Sequence, residues 1–297
     1  MTSGVRCLTQ LSALLLTLIS LTLAGEAQAQ TATDIYLLNL EALADGRTEL
    51  VRITDTPGYD NQPHFSREED AVFFTRIRGS RANIMRYELE SAETKVVLDS
   101  VESDYSPTLL PRQNALSVVR VEGDQRQRLW RVPLDGQEPS VIFENIEPVG
   151  YHAWAAPRIA LLFVLGEPPT LQLAGPAGVP VPIAENIGRA LVSVPGTTQV
   201  AYVDKGADPR RWVIKSYDYA IDASRMIAPV LPEREDFAVD GNGSLWMASG
   251  TEVHVWEPDR SSWRLVIDLA PFKLGAISRL AASASGRLLA LVAAENP

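Results

Sequence analysis

Apolar residues in this chain come in short runs of four to seven, broken by turn-forming residues, and such runs are too short for typical helices. The clearest stretch is 59–99. Tyr-Asp-Asn-Gln-Pro-His-Phe-Ser (59–66) leads through an acidic turn to Ala-Val-Phe-Phe-Thr-Arg (71–76). Asn-Ile-Met-Arg-Tyr-Glu-Leu (83–89) and Lys-Val-Val-Leu-Asp (95–99) follow. The pattern predicts four short strands in succession.

The rest of the chain repeats this unit with decay. Asp104-Tyr-Ser-Pro107 keeps the Asp-to-Pro spacing of Asp60-Asn-Gln-Pro63, and strands are expected at 115–121, 128–134 and 140–143. Asp135-Gly136 between two of them is a hairpin signal. A third unit runs over 151–187, with Tyr151-His-Ala-Trp154 where Gln62-Pro-His-Phe65 stood. Its prolines suit outer or edge strands. A fourth unit covers 189–230 and a fifth 236–269. The sixth has strands at 278–282 and 288–292 and then lacks its second pair. Strands at 34–40 and 49–53, before the first full unit, are the missing pair.

This is the arithmetic of a ring. About 268 residues over six units is about 45 each, the length of a four-stranded propeller blade. The expected fold is therefore all-β: a six-bladed β-propeller of four-stranded blades, closed by N-terminal strands that complete the last blade. Closure has a physical cause, because an open blade exposes an unpaired sheet edge.

The unit Asn61-Gln-Pro63-His-Phe65-Ser66, turn, Ala71-Val-Phe-Phe74, Ile84-Met-Arg-Tyr87-Glu-Leu89 resembles the repeat of TolB-type periplasmic propellers. That repeat reads Pro-x-Phe-Ser-Pro-Asp-Gly, a hydrophobic strand, then Ile-Tyr-x-x-Asp-Leu. Arg67-Glu68-Glu69 replaces Pro-Asp-Gly here, and Ser283-Ala-Ser-Gly286 keeps only the glycine. The resemblance spans the propeller part of that family. It implies an exported propeller that binds a protein or peptide.

Residues 1–29 read as a signal peptide: Arg6, a Leu-rich core at 11–23, and the small-x-small site Ala27-Gln28-Ala29. The expected mature chain is one domain over 30–297, periplasmic or secreted, with no membrane insertion after cleavage. The one cysteine, Cys7, lies in the signal, so the mature chain has no disulfide or thiol chemistry. The net charge of −10 argues against nucleic acid and anionic membranes as partners. Arg126-Gln-Arg128 and Arg210-Arg211 read as solvated loops.

Motifs that carry chemistry are few. His64, His152 and His254 lack short metal-ligand spacing, and no nucleophile elbow, P-loop or dinucleotide fingerprint is present. Asp240-Gly-Asn-Gly243 lacks the alternating acids of a calcium loop and reads as a turn. No cofactor is expected. The six tryptophans read as core between blades, although several exposed together would make a sugar platform.

Inner strands are expected to begin near Pro63, Pro107, His152, Leu191, Asp236 and Arg279. A ring would bring the chain just before them to one channel mouth. The candidate binding residues are Asp60, Asn61, His64, Asp104, Tyr105, Tyr151, His152, Asp236 and Arg279. Three converging carboxylates would suit a cationic or hydrogen-bonding ligand; alternatively, each Asp caps its own turn. The leading reading is a non-catalytic binding or scaffold propeller. The alternatives are a carbohydrate-binding propeller and a propeller enzyme, a metal-assisted hydrolase or lyase using Asp60, Asp104, His152 and Asp236.

Overall fold

The computed structural model describes residues 32–206 and 208–294. The segment 1–29 that reads as a signal peptide, with its expected cleavage site, lies outside them. Strand β1 (Thr33–Asn39), helix α1 (Leu40–Ala44) and β2 (Leu50–Arg52) come first. No helix is expected from the sequence between the strands at 34–40 and 49–53, and α1 forms there. Asn39 starts this helix, its side chain accepting from the Glu41 and Ala42 amides.

The first complete blade is β3 (Tyr59–Phe65), β4 (Ala71–Arg78), β5 (Arg81–Glu88) and β6 (Thr94–Leu98). The second is β7 (Ser103–Leu109), β8 (Ala115–Val121), β9 (Gln127–Pro133) and β10 (Ser140–Val141). The third is β11 (Val149–Ala156), β12 (Ile159–Val164), β13 (Thr170–Ala174) and β14 (Val181–Glu185). The fourth is β15 (Ile187–Ser193), β16 (Gln199–Asp204), β17 (Val213–Asp218) and β18 (Ala223–Pro229). The fifth is β19 (Phe237–Val239), β20 (Leu245–Ser249), β21 (Glu252–Trp256) and β22 (Arg264–Asp268). β23 (Ile277–Ala282) and β24 (Leu288–Ala294) end the described chain.

The last pair is completed from the other end of the chain. β1 lies antiparallel to β24 over seven residue pairs, Thr33–Asn39 against Ala294–Leu288, and β2 pairs outside β1. The order β23-β24-β1-β2 is thus a sixth four-stranded antiparallel unit among the described residues. A single parallel bridge, Thr33 to Tyr59, links it to the first blade.

The core lies between neighbouring blades. Phe73 and Ile84 pack on Leu116 and Val118 of the second blade. Val72 and Phe74, on the opposite face of β4, pack on Ile35, Leu37 and Ala290 of the closing blade. Strands buried on both faces read as continuous apolar runs, which is why Ala-Val-Phe-Phe shows no polar alternation. Equivalent clusters join the second to third, third to fourth, fourth to fifth and fifth to sixth blades, so the packing goes round. At the fifth-to-sixth contact, a Cβ on Gly241 would lie 1.8 Å from the Ala284 carbonyl oxygen, so glycine is required there.

One local feature positions the site. The inner strands β3 and β7 begin at Tyr59 and Ser103, four residues before the expected Pro63 and Pro107. Each carries a register shift, between Asn61 and His64 and between Tyr105 and Thr108. Gln62 and Ser106 sit there at φ +58° and +53°. Pro63 and Pro107, lacking an N–H, are accommodated at these bulges.

Candidate functional site

The six inner strands surround a cavity of about 450 Å³. Pro63, Pro107, His152, Leu191, Asp236 and Arg279 all line it, one from the inner strand or strand entry of each blade. Among the nine residues singled out from the sequence, His64, Tyr151, His152, Asp236 and Arg279 line this cavity. Asp60, Asn61, Asp104 and Tyr105 do not.

Asp60 and Asp104 are held inside their own blades, so the expected convergence of carboxylates does not occur. Because β3 starts early, Asp60 is in register with Arg76 of β4. Arg76 Nε and Nη2 donate to its two carboxylate oxygens at 2.6 and 2.8 Å, and both residues are buried. The second blade repeats the device: Arg120 donates to Asp104 at 2.8 and 3.3 Å, and Ser100 Oγ adds a bond at 2.7 Å. The Arg76 guanidinium lies 5.3 Å from the Phe74 ring centre and that of Arg120 4.6 Å from Trp130. Asn61 ties the ring closed: its Nδ2 donates to Thr33 Oγ1 at 3.3 Å, and that hydroxyl donates to the Asp60 carbonyl at 2.9 Å. Tyr105 is half-buried, and burial raises its hydroxyl pKa.

Asp236 differs. It precedes β19, and its partner strand β20 (Leu-Trp-Met-Ala-Ser) offers no arginine. Its Oδ1 accepts from the Leu280 amide at 3.0 Å. Arg189 and Arg279, from the fourth and sixth blades, approach its Oδ2 only to 3.7 and 3.9 Å. Those distances are ion-pair contacts without a hydrogen bond. Oδ2 and the Nε atoms of both arginines are buried with no hydrogen-bond partner. Burial pushes the Asp236 pKa up against the pull of Arg279 and Arg189. Burial also works against the charge on Arg279, but Asp236, Tyr151 and Tyr59 outweigh it and raise that pKa. Tyr151 anchors Arg279, accepting from Nη2 at 3.3 Å with its ring centre 5.1 Å from the guanidinium. Burial pushes the Tyr59 hydroxyl up to about 12, against Arg279. Beside this group, Lys205 closes on Glu235 at 2.6 Å.

Further along the cavity stand two histidines kept neutral. Burial pulls His64 down to about 4, and burial with the neighbouring His64 pulls His152 down to about 3. His152 Nε2 is 2.7 Å from Ser117 Oγ, which accepts from Trp154 Nε1 at 2.8 Å. His152 Nδ1 is buried without a partner. Ser117 is fully buried, and no carboxylate orients His152 through Nδ1, so the pair lacks the third member of a nucleophilic triad. Among the described residues, no three His, Cys, Asp or Glu side chains stand together as a metal-holding group. The set Asp60, Asp104, His152 and Asp236 is not assembled.

Sequence reasoning missed Arg189, although it lies two residues before Leu191, close to where Arg279 stands in its own blade. It also misplaced Arg128, which lies in β9, buried, with donations to Glu122 at 2.7 and 2.6 Å. The Arg210 and Arg211 side chains are 85% and 86% exposed, as solvated positions should be. Asp240 is a turn-former: its Oδ1 accepts from the Asn242 and Ser244 amides and its Oδ2 from Trp246 Nε1. Trp154, Trp246 and Trp256 are buried and the other three tryptophans half-buried, so no exposed aromatic platform forms. No described helix is long and apolar enough to cross a membrane.

No protein-family model and no curated protein sequence matches this chain. Solved structures do. One described as TolB from Agrobacterium tumefaciens is 11% identical with a TM-score of 0.70, over 90% of this chain and 99% of that one. TolB from Acinetobacter baumannii is 10% identical with a TM-score of 0.58, over 90% of this chain and 64% of that protein. A gluconolactonase from Xanthomonas campestris is 15% identical with a TM-score of 0.62, over 90% and 98% of the two chains. Likeness at these identities shows the fold, a β-propeller like those of the TolB structures.

Proposed function

We propose that this chain is an exported, non-catalytic β-propeller that holds a protein or peptide partner at the mouth where its inner strands begin. The observation that carries the reading is the open group at Asp236. Arg189, Asp236 and Arg279 come from three blades, line one cavity, and keep hydrogen-bonding atoms unused. A cavity of about 450 Å³ is within the size range of ligand sites. The TolB-like fold and the signal-like segment at 1–29 support a partner outside the cytoplasm. The gluconolactonase likeness is one of fold and supplies no catalytic residues to this chain.

The test uses the absence of cysteine after residue 7. A photo-crosslinker is attached at Leu191→Cys in the cavity, or at Arg260→Cys on the exterior. A defined adduct only from Leu191→Cys supports the reading; equal labelling from both, or none, overturns it. N-terminal sequencing of the extracytoplasmic protein should begin at Gln30.

A further inference from the structure

We propose that the mouth beside Asp236 recognises a carboxylate, and specifically the terminal carboxylate of a peptide together with the amide N–H of the same residue. The inference deepens the channel-mouth reading and rests on it. The first argument is charge. Asp60 and Asp104 are neutralised by Arg76 and Arg120 and do not face the cavity. The groups left at the mouth are Arg189, Lys205 and Arg279 against Glu235 and Asp236. Three cations against two carboxylates leave one positive charge, and Lys205 is already closed on Glu235 at 2.6 Å. Two guanidiniums therefore share Asp236, and Arg189 also lies 3.8 Å from the Glu235 carboxylate that Lys205 holds.

The second argument is valence. The buried atoms of this group without a hydrogen bond are two donors, Arg189 Nε and Arg279 Nε, and two acceptors, Asp236 Oδ2 and Glu235 Oε2, of which Glu235 Oε2 already has the Lys205 ammonium at 2.6 Å. A carboxylate accepts from guanidinium N–H groups in fork geometry. It cannot serve Asp236 Oδ2, which needs a donor, and its own charge would repel that oxygen. The last residue of a peptide carries both groups on one Cα: a carboxylate for the arginines and an N–H for Asp236. A bare dicarboxylate supplies only the first. Tyr151 already fixes Arg279 through its hydroxyl and ring, so the fork is held before any ligand arrives.

The experiment titrates ¹⁵N-labelled protein with three probes: N-acetyl-trialanine as the free acid, the same peptide as its C-terminal amide, and succinate. Arginine side-chain signals and calorimetry report binding. The free acid should bind saturably and shift the Arg189 and Arg279 signals. The amide and succinate should be about tenfold weaker or more. Arg189→Gln with Arg279→Gln should abolish binding. Should that pair unfold, Arg279→Lys keeps the charge, loses the fork, and should still weaken the acid. Asp236→Asn should narrow the gap between peptide acid and succinate. Equal binding of acid and amide, unchanged binding in the arginine variants, or no saturable binding of any probe would overturn the proposal. Succinate binding as tightly as the acid would overturn the peptide-terminus assignment. Crosslinking at Leu191→Cys that persists after any of these failures would leave the mouth reading standing without its carboxylate chemistry.

Discussion

Asp60 and Asp236 both lie near the start of an inner strand, and both are almost fully buried. Asp60 finds its counter-charge within its own blade, where register places Arg76 directly opposite and two hydrogen bonds close the pair. Asp236 finds no arginine on β20 and receives two from neighbouring blades, neither within hydrogen-bond distance. The first arrangement is complete without a ligand. The second is stable enough to persist and has unused hydrogen-bonding capacity. Function is therefore sought where the repeat loses its intrablade partner, and the regular positions are structural.

The largest test of the contrast is Asp60→Asn or Asp104→Asn. Each strands an arginine charge in the blade and should cost about 3–5 kcal/mol in chemical denaturation. Partner crosslinking at Leu191→Cys should be unaffected in whatever fraction folds. A stability loss below about 1 kcal/mol would show that the closed pairs are not structural.

The next concerns the histidines beyond the mouth. His64 and His152 are held at about 4 and about 3, below the ordinary 6.5. Between those values and 6.5 the unfolded chain binds more protons than the folded one, so stability rises with pH. Their contribution is full above about pH 6.5 and is lost as pH falls toward 4 and then 3. Melting temperatures across that window should fall with acid in the wild type and flatten in His152→Gln. An unchanged slope would place the acid sensitivity elsewhere.

Asp236→Asn is the direct counterpart of Asp60→Asn and should behave oppositely. Burial disfavours the Asp236 charge while Arg279 and Arg189 favour it, so removing it should change stability less than Asp60→Asn does, while altering ligand selectivity at the mouth. A loss as large as that of Asp60→Asn would erase the distinction between the two carboxylates. The smallest effect is expected from Arg210→Ala. Its exposed pair with Asp208 is screened, and the melting temperature should not move measurably.

The repeat and its closure were legible in the sequence because they rest on local chemistry. Turn residues set the strand ends, apolar runs marked strands buried on both faces, and the strand pair at 34–53 was left over for the incomplete last unit. The same comparison of units found six cavity-lining positions, among them His152, Asp236 and Arg279. It did not reveal which carboxylates turn toward the channel. Asp-x-x-Pro reads as a turn, whereas the bulges at Gln62 and Ser106 let the strands begin four residues earlier and carry Asp60 and Asp104 into register with arginines one strand away. Pairing register decides that, and register is a property of two strands together. Arg189 and Arg279 meet Asp236 only because three blades converge on one axis. Ion pairs between residues this far apart in sequence belong to the tertiary structure, and the open chemistry of this protein lies there.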